Sequence, residues 1–240
     1  SRPPERGPSF LFVNPDPAWW THQLFAVAAV GGWLGGLSLL ALWVRDRWPG
    51  HREWSRKLVH IGSGPVVLIA WWLGIDRAIA VPAAAAITLI AALNHRFHLL
   101  PAVEDIDRHS YGTVAYGASF TLLLWLCWPS RPEAVAAGVL VMAVGDGAAG
   151  LLGPTLASPS WSVFGERRSL VGTAAMGLSS LLVLSLLAAR VEGPAPGAAA
   201  IALIAVVVTA LEQWAFLGVD NLTVPMATAG LWILLSHGPR

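Results

Sequence analysis

Long apolar stretches follow one another along the chain from about Trp20 to its end, and short polar segments separate them. A helix needs about 20 apolar residues to cross the hydrocarbon core of a bilayer, and slightly shorter stretches also suffice. By this rule the pattern predicts about eight transmembrane helices. Their predicted spans are residues 20–44, 58–74, 77–94, 112–129, 133–153, 169–189, 197–217 and 221–237.

The same pattern predicts an all-α integral membrane protein with a single domain over residues 19–240. The first 17 residues contain five prolines, which predict an irregular leader over residues 1–18. The leader lacks the basic region, short apolar region and small-residue cleavage site of a signal peptide. Span 58–74 is an unusual membrane segment because it contains His60 and Pro65.

Basic residues in the loops predict the orientation of the helices. With eight spans, the loops on one side of the membrane contain nine Lys and Arg residues, and those on the other side contain six. The side with nine is expected to be cytoplasmic, which places both termini on the non-cytoplasmic side.

The unusual polar residues all fall on this predicted cytoplasmic side. They are Lys57, His60, Asn94, His95, residues 104–108, Asp146, residues 167–169, Asp220 and Asn221. Channels and transporters need polar groups along a path through the membrane. Polar groups at one face instead favour a membrane enzyme that meets a water-soluble substrate there.

The composition supports a membrane protein and excludes other classes. Hydrophobic residues make up 55% of the chain and charged residues 12%, and the mean hydropathy is +0.62; soluble domains average about 25% charged residues. The net charge is +1 without a basic tail, so no binding of nucleic acid is predicted. Cys127 is the single cysteine, which excludes an internal disulfide. The sequence leaves the oligomeric state open.

The first motif, GDGAAGLLG over residues 145–153, lies late in an apolar span. An ionised Asp146 in hydrocarbon costs about 2.5 kcal/mol or more unless it is paired or solvated. Carboxylates bind Mg²⁺ together with substrate phosphates, and Gly145 and Gly147 would let a ligand approach closely. The motif favours a site for a metal and a nucleotide. The alternative is glycine-mediated helix packing with a paired Asp146.

The second motif, GERRSLVGT over residues 165–173, brings Arg167 and Arg168 to the predicted start of a helix, with Ser169 and Thr173 behind them. Helix N-termini attract anions, and arginine binds phosphate with two parallel hydrogen bonds. The alternative is a basic membrane anchor in which Ser169 caps the helix. The short distance along the chain from Asp146 favours phosphate binding.

Two further groups hold candidate residues. Lys57 and His60 are three residues apart and would share a helix face, where they could hold a phosphate or move a proton. The alternatives are snorkelling of Lys57 and simple packing of His60.

Glu212 is a second acid within a predicted span and needs a partner. Asp220 and Asn221 form a hinge before the last span, where they either join the site or cap the helix.

Six segments together resemble the polyprenol kinase family, which includes dolichol kinase and phytol kinase, and the resemblance is closest to the phytol kinase branch. It extends over about residues 45–237. The segments are RKLVHIGSGP (56–65), NHR (94–96), DRHSYGTVAYG (107–117), GDGAAGLLG (145–153), GERRSLVGT (165–173) and LEQWAFLGVDNLTVP (211–225).

The resemblance implies transfer of a phosphoryl group from CTP to the hydroxyl of a long-chain isoprenoid alcohol, assisted by Mg²⁺. In the family the GD segment and the following basic segment are associated with the CTP site. Relatives often have lysines where this chain has Arg167 and Arg168, so the charge is retained while the geometry differs.

The resemblance and the chemistry together predict a role for each candidate residue. Asp146 is expected to bind Mg²⁺, with Glu212 or Asp220 as a second ligand. His60 or one of the acids is expected to accept the proton of the alcohol, with Lys57 and Asp146 completing the catalytic group. The residues expected to contact the nucleotide are Lys57, Asn94, Gly145, Gly147, Arg167, Arg168, Ser169, Thr173 and Asn221.

Two alternatives remain open at this stage. Phosphatidate cytidylyltransferases share similar GD elements, so a CTP-using enzyme that makes a CDP-lipid is the first. The second is a small transporter built on broken helices, which would require an inverted repeat that the sequence does not reveal. The expected location is the lipid bilayer of a plasma or thylakoid membrane in a photosynthetic bacterium.

Overall fold

The computed structural model describes residues 16–50, 52–97 and 111–236. The leader up to residue 15 and the acidic segment 104–108 lie outside these ranges. The described chain forms ten α-helices, one π-helical segment and a two-stranded hairpin. In order, these are α1 (Pro17–Arg47), α2 (Arg52–Ser63), α3 (Val66–Trp72), α4 (Arg77–Phe97), α5 (Gly112–Cys127), α6 (Pro132–Leu140), the π segment (Val141–Asp146), α7 (Gly147–Thr155), β1 (Ser160–Val163), β2 (Glu166–Ser169), α8 (Leu170–Arg190), α9 (Ala198–Trp214) and α10 (Asp220–Leu235).

The prediction of an all-α fold is confirmed. Among the described residues, four helical stretches are long and apolar enough to cross a membrane: Pro17–Arg47, Arg77–Phe97, Pro132–Thr155 and Leu170–Arg190. Helices α5 and α9 are also apolar but shorter. The predicted total of eight crossings stays a prediction. Helix α1 begins at Pro17 with Asp16 as its N-cap, so it includes the last two residues of the predicted leader 1–18.

Predicted span 58–74 is divided into α2 and α3 at Gly64 and Pro65. Proline has no backbone N–H to donate, so a helix that meets one loses a hydrogen bond and leaves carbonyls free. Side chains satisfy two of these carbonyls: the Trp33 indole donates to the Gly62 oxygen over 2.7 Å, and Ser63 Oγ donates to the His60 oxygen over 2.9 Å. The break is thereby stabilised by α1 and by α2 itself.

The centre of the bundle is α6, in which every residue from Glu133 to Val139 is buried. Gly138 permits the closest contact there, because a Cβ at this position would lie 2.5 Å from the Pro225 oxygen of α10. The outer helices instead expose large apolar side chains, which suits a lipid environment and would be unfavourable in water. Examples are Leu24, Phe25, Leu39, Leu89, Ile90, Leu178 and Leu182.

One end of the bundle is tied together by hydrogen bonds to the α3–α4 turn. The Gln23 amide of α1 donates to the Gly74 oxygen over 3.1 Å and accepts from the Asp76 N–H over 3.0 Å. The Trp128 indole, just after α5, donates to the Ile75 oxygen over 2.8 Å. The start of α1 and the end of α5 therefore lie at this end, and the polar motifs lie at the opposite end.

The sequence did not predict the hairpin that precedes α8. Its strands are antiparallel, with Trp161 opposite Arg168 and Ser162 opposite Arg167. Arg167 and Arg168 were expected at the start of a helix, but they lie on β2, and α8 begins after them at Leu170. Since successive residues of a strand point to opposite faces, the two guanidinium groups do not act as one pair.

Candidate active site

A buried group of one carboxylate, one ammonium and one imidazole lies between α2 and the π segment. Lys57 Nζ is 2.7 Å from Asp146 Oδ2, and His60 Nε2 is 3.3 Å from the same oxygen. Lys57 Nζ also donates to the Asp146 backbone oxygen over 3.2 Å. The structure thus brings the three predicted catalytic residues together, and the spacing of Lys57 and His60 places both on one face of α2.

The π segment explains how Asp146 reaches this position. A π-helical turn is wider than an α-helical turn and leaves its carbonyls less regularly paired, which is why such turns are frequent at functional sites. His60 Nε2 lies 3.4 Å from the Met142 oxygen within this segment. The imidazole is therefore held against both the backbone and the carboxylate of the same wide turn.

Glycines of the GDGAAGLLG motif make room for this group. A Cβ on Gly150 would lie 2.4 Å from Lys57 Cε, and one on Gly147 would lie 2.2 Å from Ile61 Cγ1. A Cβ on Gly145 would lie 2.5 Å from Met176 Sδ of α8. The packing interpretation of these glycines is confirmed, and contact of Gly145 or Gly147 with a nucleotide stays a prediction.

The sequence did not single out Tyr116, although it lies in one of the six family segments. Its ring lies against the His60 ring, with the centroids 4.5 Å apart and the two planes tilted by 37°. Its hydroxyl is 3.5 Å from the His60 backbone oxygen and 3.4 Å from Ser63 Oγ. Tyr116 thus brings α5 into contact with the imidazole, and spacing along the chain does not reveal this contact.

A second ion pair joins the hairpin to α9. Arg168 Nη1 pairs with Glu212 Oε1, and Arg168 Nη2 donates to the Ala215 oxygen over 2.8 Å. Glu212 is 3% exposed, and Gln213 Nε2 donates to its other carboxylate oxygen over 2.5 Å. The partner that Glu212 was expected to need is therefore Arg168. Because both oxygens of Glu212 are engaged, this residue is less suited to a metal ion than Asp220.

Asp220 begins α10 and is buried, with 7% of its surface exposed. Its Oδ1 accepts from the backbone N–H and the side-chain amide of Asn221, over 3.0 and 3.1 Å. Within the part of the chain that the structure describes, Asp220 has no ion pair. Helix α10 packs against the π segment that ends at Asp146, and Ala215, whose oxygen accepts from Arg168, lies five residues before Asp220. We call the two ion pairs and Asp220 the polar cluster.

The donor set fits Mg²⁺ bound jointly by protein and phosphate better than a metal held by protein alone. In the described ranges no three His, Cys, Asp or Glu side chains are close enough to enclose an ion. Mg²⁺ usually takes one or two carboxylates and completes its shell with water and substrate phosphates. Within the described residues the contacts of the Asp146 carboxylate are all made by Oδ2, so Oδ1 and the Asp220 carboxylate are the ligands that these residues offer.

The remaining predicted residues have different surroundings. Ser169 caps α8 by accepting from the Gly172 N–H over 3.2 Å, which confirms the alternative interpretation of this residue. Thr173 Oγ1 donates to the Ser169 oxygen over 3.0 Å. Asn94 is 3% exposed near the end of α4. Arg167 is exposed and donates to Ser160 Oγ over 3.2 Å, so its guanidinium remains accessible to a phosphate.

No family model and no solved structure matches the chain. A curated protein does: the chain is 38% identical over 215 residues to a phytol kinase from Synechocystis sp.. The match covers 89% of this chain and 90% of the relative. The chain belongs to the phytol kinase branch of the polyprenol kinase family. The resemblance drawn from the six segments is confirmed, and membership in this family makes the buried cluster a candidate active site.

Proposed function

We propose that the protein transfers the γ-phosphoryl group of CTP to the hydroxyl of phytol or a similar long isoprenoid alcohol. The observation that carries this proposal is the buried group of Lys57, Asp146 and His60, in a chain that belongs to the phytol kinase branch. The group supplies a cation for phosphate, a carboxylate for a metal ion and an imidazole for a proton. Phosphoryl transfer to an alcohol needs these three functions.

Positioning and charge neutralisation dominate the catalysis of phosphoryl transfer. Lys57 is 6% exposed, so its charge acts in a weakly polar setting where it stabilises a phosphate more strongly than in water. Arg167 contributes from the exposed face of β2. Asp146 and Asp220 would hold Mg²⁺, which supplies neutralisation of the phosphate oxygens when bound. Arg168 stabilises the hairpin through Glu212 instead of contacting phosphate.

His60 is the proton acceptor that the geometry favours. The alcohol oxygen attacks the γ-phosphorus, the bond from that phosphorus to the β–γ bridging oxygen breaks, and CDP leaves. His60 Nε2 faces two acceptors, Asp146 Oδ2 and the Met142 oxygen, so the hydroxyl proton passes to Nδ1, and the Asp146 carboxylate stabilises the imidazolium that forms. Contact with the Tyr116 ring holds the imidazole in position during this transfer.

The substrates explain why the cluster lies at one end of the bundle. Phytol dissolves in the bilayer with its hydroxyl at the interface, whereas CTP arrives from water. We place the cluster at the cytoplasmic face, with eight membrane crossings. Both termini then lie on the opposite face, because α1 begins and α10 ends at the end away from the cluster. The membrane is a plasma or thylakoid membrane.

The proposal is tested with purified protein in lipid nanodiscs, Mg²⁺, phytol and each of the four ribonucleoside triphosphates. Mass spectrometry of the lipid fraction should show phytyl phosphate, with CTP as the best donor. A CDP-lipid and free pyrophosphate formed from a lipid phosphate, with no phytyl phosphate from phytol, would identify a cytidylyltransferase and reject the proposal.

A further inference from the structure

Exposed apolar side chains border the polar cluster on two adjoining turns. The hairpin contributes Trp161 and Phe164, and the turn between α9 and α10 contributes Phe216 and Leu217. All four are exposed, and Phe164 is 68% exposed. The rings of Phe164 and Phe216 are 5.7 Å apart, which joins the two turns. We call these four residues the aromatic rim.

The aromatic rim is connected directly to the polar cluster. Trp161 lies opposite Arg168 in the hairpin, and directly opposed residues share a face of the strand pair. Ala215, whose oxygen accepts from Arg168, immediately precedes Phe216. The Leu217 oxygen accepts from the Tyr111 N–H over 3.1 Å and so ties the rim to the start of α5, the helix whose Tyr116 contacts His60.

The backbone at the aromatic rim is strained. Phe164 has φ +51° and Leu217 has φ +53°, and within the described ranges these are the two residues other than glycine with positive φ. Bulky side chains rarely adopt this conformation, and such strain is concentrated at functional sites. Each strained residue directs a large apolar side chain outward instead of into the core. Exposure and strain at the same two positions indicate a surface that is used for binding.

We propose that the aromatic rim receives the hydrocarbon tail of the alcohol and thereby directs its hydroxyl toward Asp146 and His60. This inference rests on the proposed function, which provides an occupant with a long apolar tail and one polar end. The aromatic rim matches that occupant, because its exposed side chains are apolar and it lies next to the charged groups of the polar cluster. The alcohol enters from the bilayer past the rim, and CTP enters from the aqueous side.

The test measures KM for phytol, for the shorter alcohol geraniol and for CTP in Phe164→Gly and Phe216→Ala. Glycine tolerates the positive φ of residue 164, so Phe164→Gly removes the ring while it relieves backbone strain. Trp72→Ala is the matched control, since Trp72 is 87% exposed at the opposite end of the bundle.

For each rim variant we expect the KM for phytol to rise roughly tenfold, the change expected from the loss of one aromatic contact. The KM for geraniol should rise less, because its short tail reaches less of the rim, and the KM for CTP should stay within about twofold of the wild-type value. Phe164→Leu, which retains apolar area, should recover part of the loss. Trp72→Ala should match the wild type.

An unchanged KM for phytol in both rim variants would overturn the inference. So would equal changes for phytol, geraniol and CTP, which would indicate a general structural role. If the wild-type protein forms no phytyl phosphate, the proposed function itself fails. If the wild type is active and the rim variants are unaltered, only the role of the rim is rejected.

Discussion

Lys57 Nζ lies 2.7 Å from Asp146 Oδ2, and this contact joins α2 to the end of the π segment across 89 residues of sequence. Both side chains are largely buried, with exposed fractions of 8% and 17%. Removing one partner of a buried ion pair leaves an uncompensated charge and costs about 3–5 kcal/mol, whereas removing both can be nearly neutral.

The first prediction concerns this coupling. Lys57→Met and Asp146→Leu should each destabilise the protein by about 3–5 kcal/mol, and the double variant should lose much less than the sum because it buries no unpaired charge. All three variants should lack kinase activity. Thermal unfolding in detergent micelles measures the stabilities. Strictly additive losses would show that the two residues are not coupled in the folded protein.

The second prediction tests the space that Gly150 provides. In Gly150→Ala the new Cβ would lie 2.5 Å from Lys57 Nζ, so the ammonium must move away from Asp146. We expect kcat to fall at least about tenfold, since charge positioning limits this chemistry. The variant should be less stable than the wild type but still fold, because the ammonium shifts without leaving the Asp146 carboxylate unpaired, and alanine favours helix over glycine by about 1 kcal/mol.

Gly230→Ala is the control for this experiment, since nothing lies within 4 Å of a Cβ at that position in α10. It should keep full activity. Equal activities of the Gly150 and Gly230 variants would contradict the proposed role of the Lys57 position.

The third prediction separates the two arginines of the hairpin. Arg167→Ala should raise the KM for CTP roughly tenfold or more, the effect of losing a hydrogen bond to a charged group, and leave the melting temperature unchanged. Arg168→Ala should lower the melting temperature, because it leaves the buried Glu212 carboxylate without its cation. Identical behaviour of the two variants would contradict the assignment of Arg167 to phosphate and Arg168 to the hairpin.

The fourth prediction concerns the orientation of His60. Tyr116→Phe keeps the ring that contacts the imidazole and should retain most of the activity. Tyr116→Leu removes the ring contact and should lower kcat roughly tenfold with little change in the KM for CTP, since the imidazole loses its support from α5. Steady-state kinetics at saturating phytol measures both values. A large loss in Tyr116→Phe would instead assign the function to the hydroxyl.

Hydropathy predicted the positions of the helices because the thickness of a bilayer sets the length of an apolar helix. This length does not depend on which other helices it packs against. The spacing of Lys57 and His60 correctly predicted a shared face, since helical periodicity is a local property. Their meeting with Asp146 depends on packing between α2 and the π segment, so the sequence indicated the residues without the contact.

Other features depend on contacts between distant segments and were not predictable. Arg168 and Glu212 are 44 residues apart, and nothing in either local sequence specifies their pairing. The π segment contains one charged residue, Asp146, and its other residues suit an α-helix equally well. The hairpin is short, and its charged second strand resembles the basic end of a membrane helix.

The central claim is that the cluster around Asp146 moves the terminal phosphoryl group of CTP to an isoprenoid alcohol. The most direct measurement incubates wild-type protein and Asp146→Asn with phytol and CTP radiolabelled at the γ-phosphate. Wild-type protein should transfer the label to the lipid phase as phytyl phosphate, and the folded variant should transfer at least about a thousandfold less. Label released as pyrophosphate by the wild type, or undiminished transfer by Asp146→Asn, would contradict the claim.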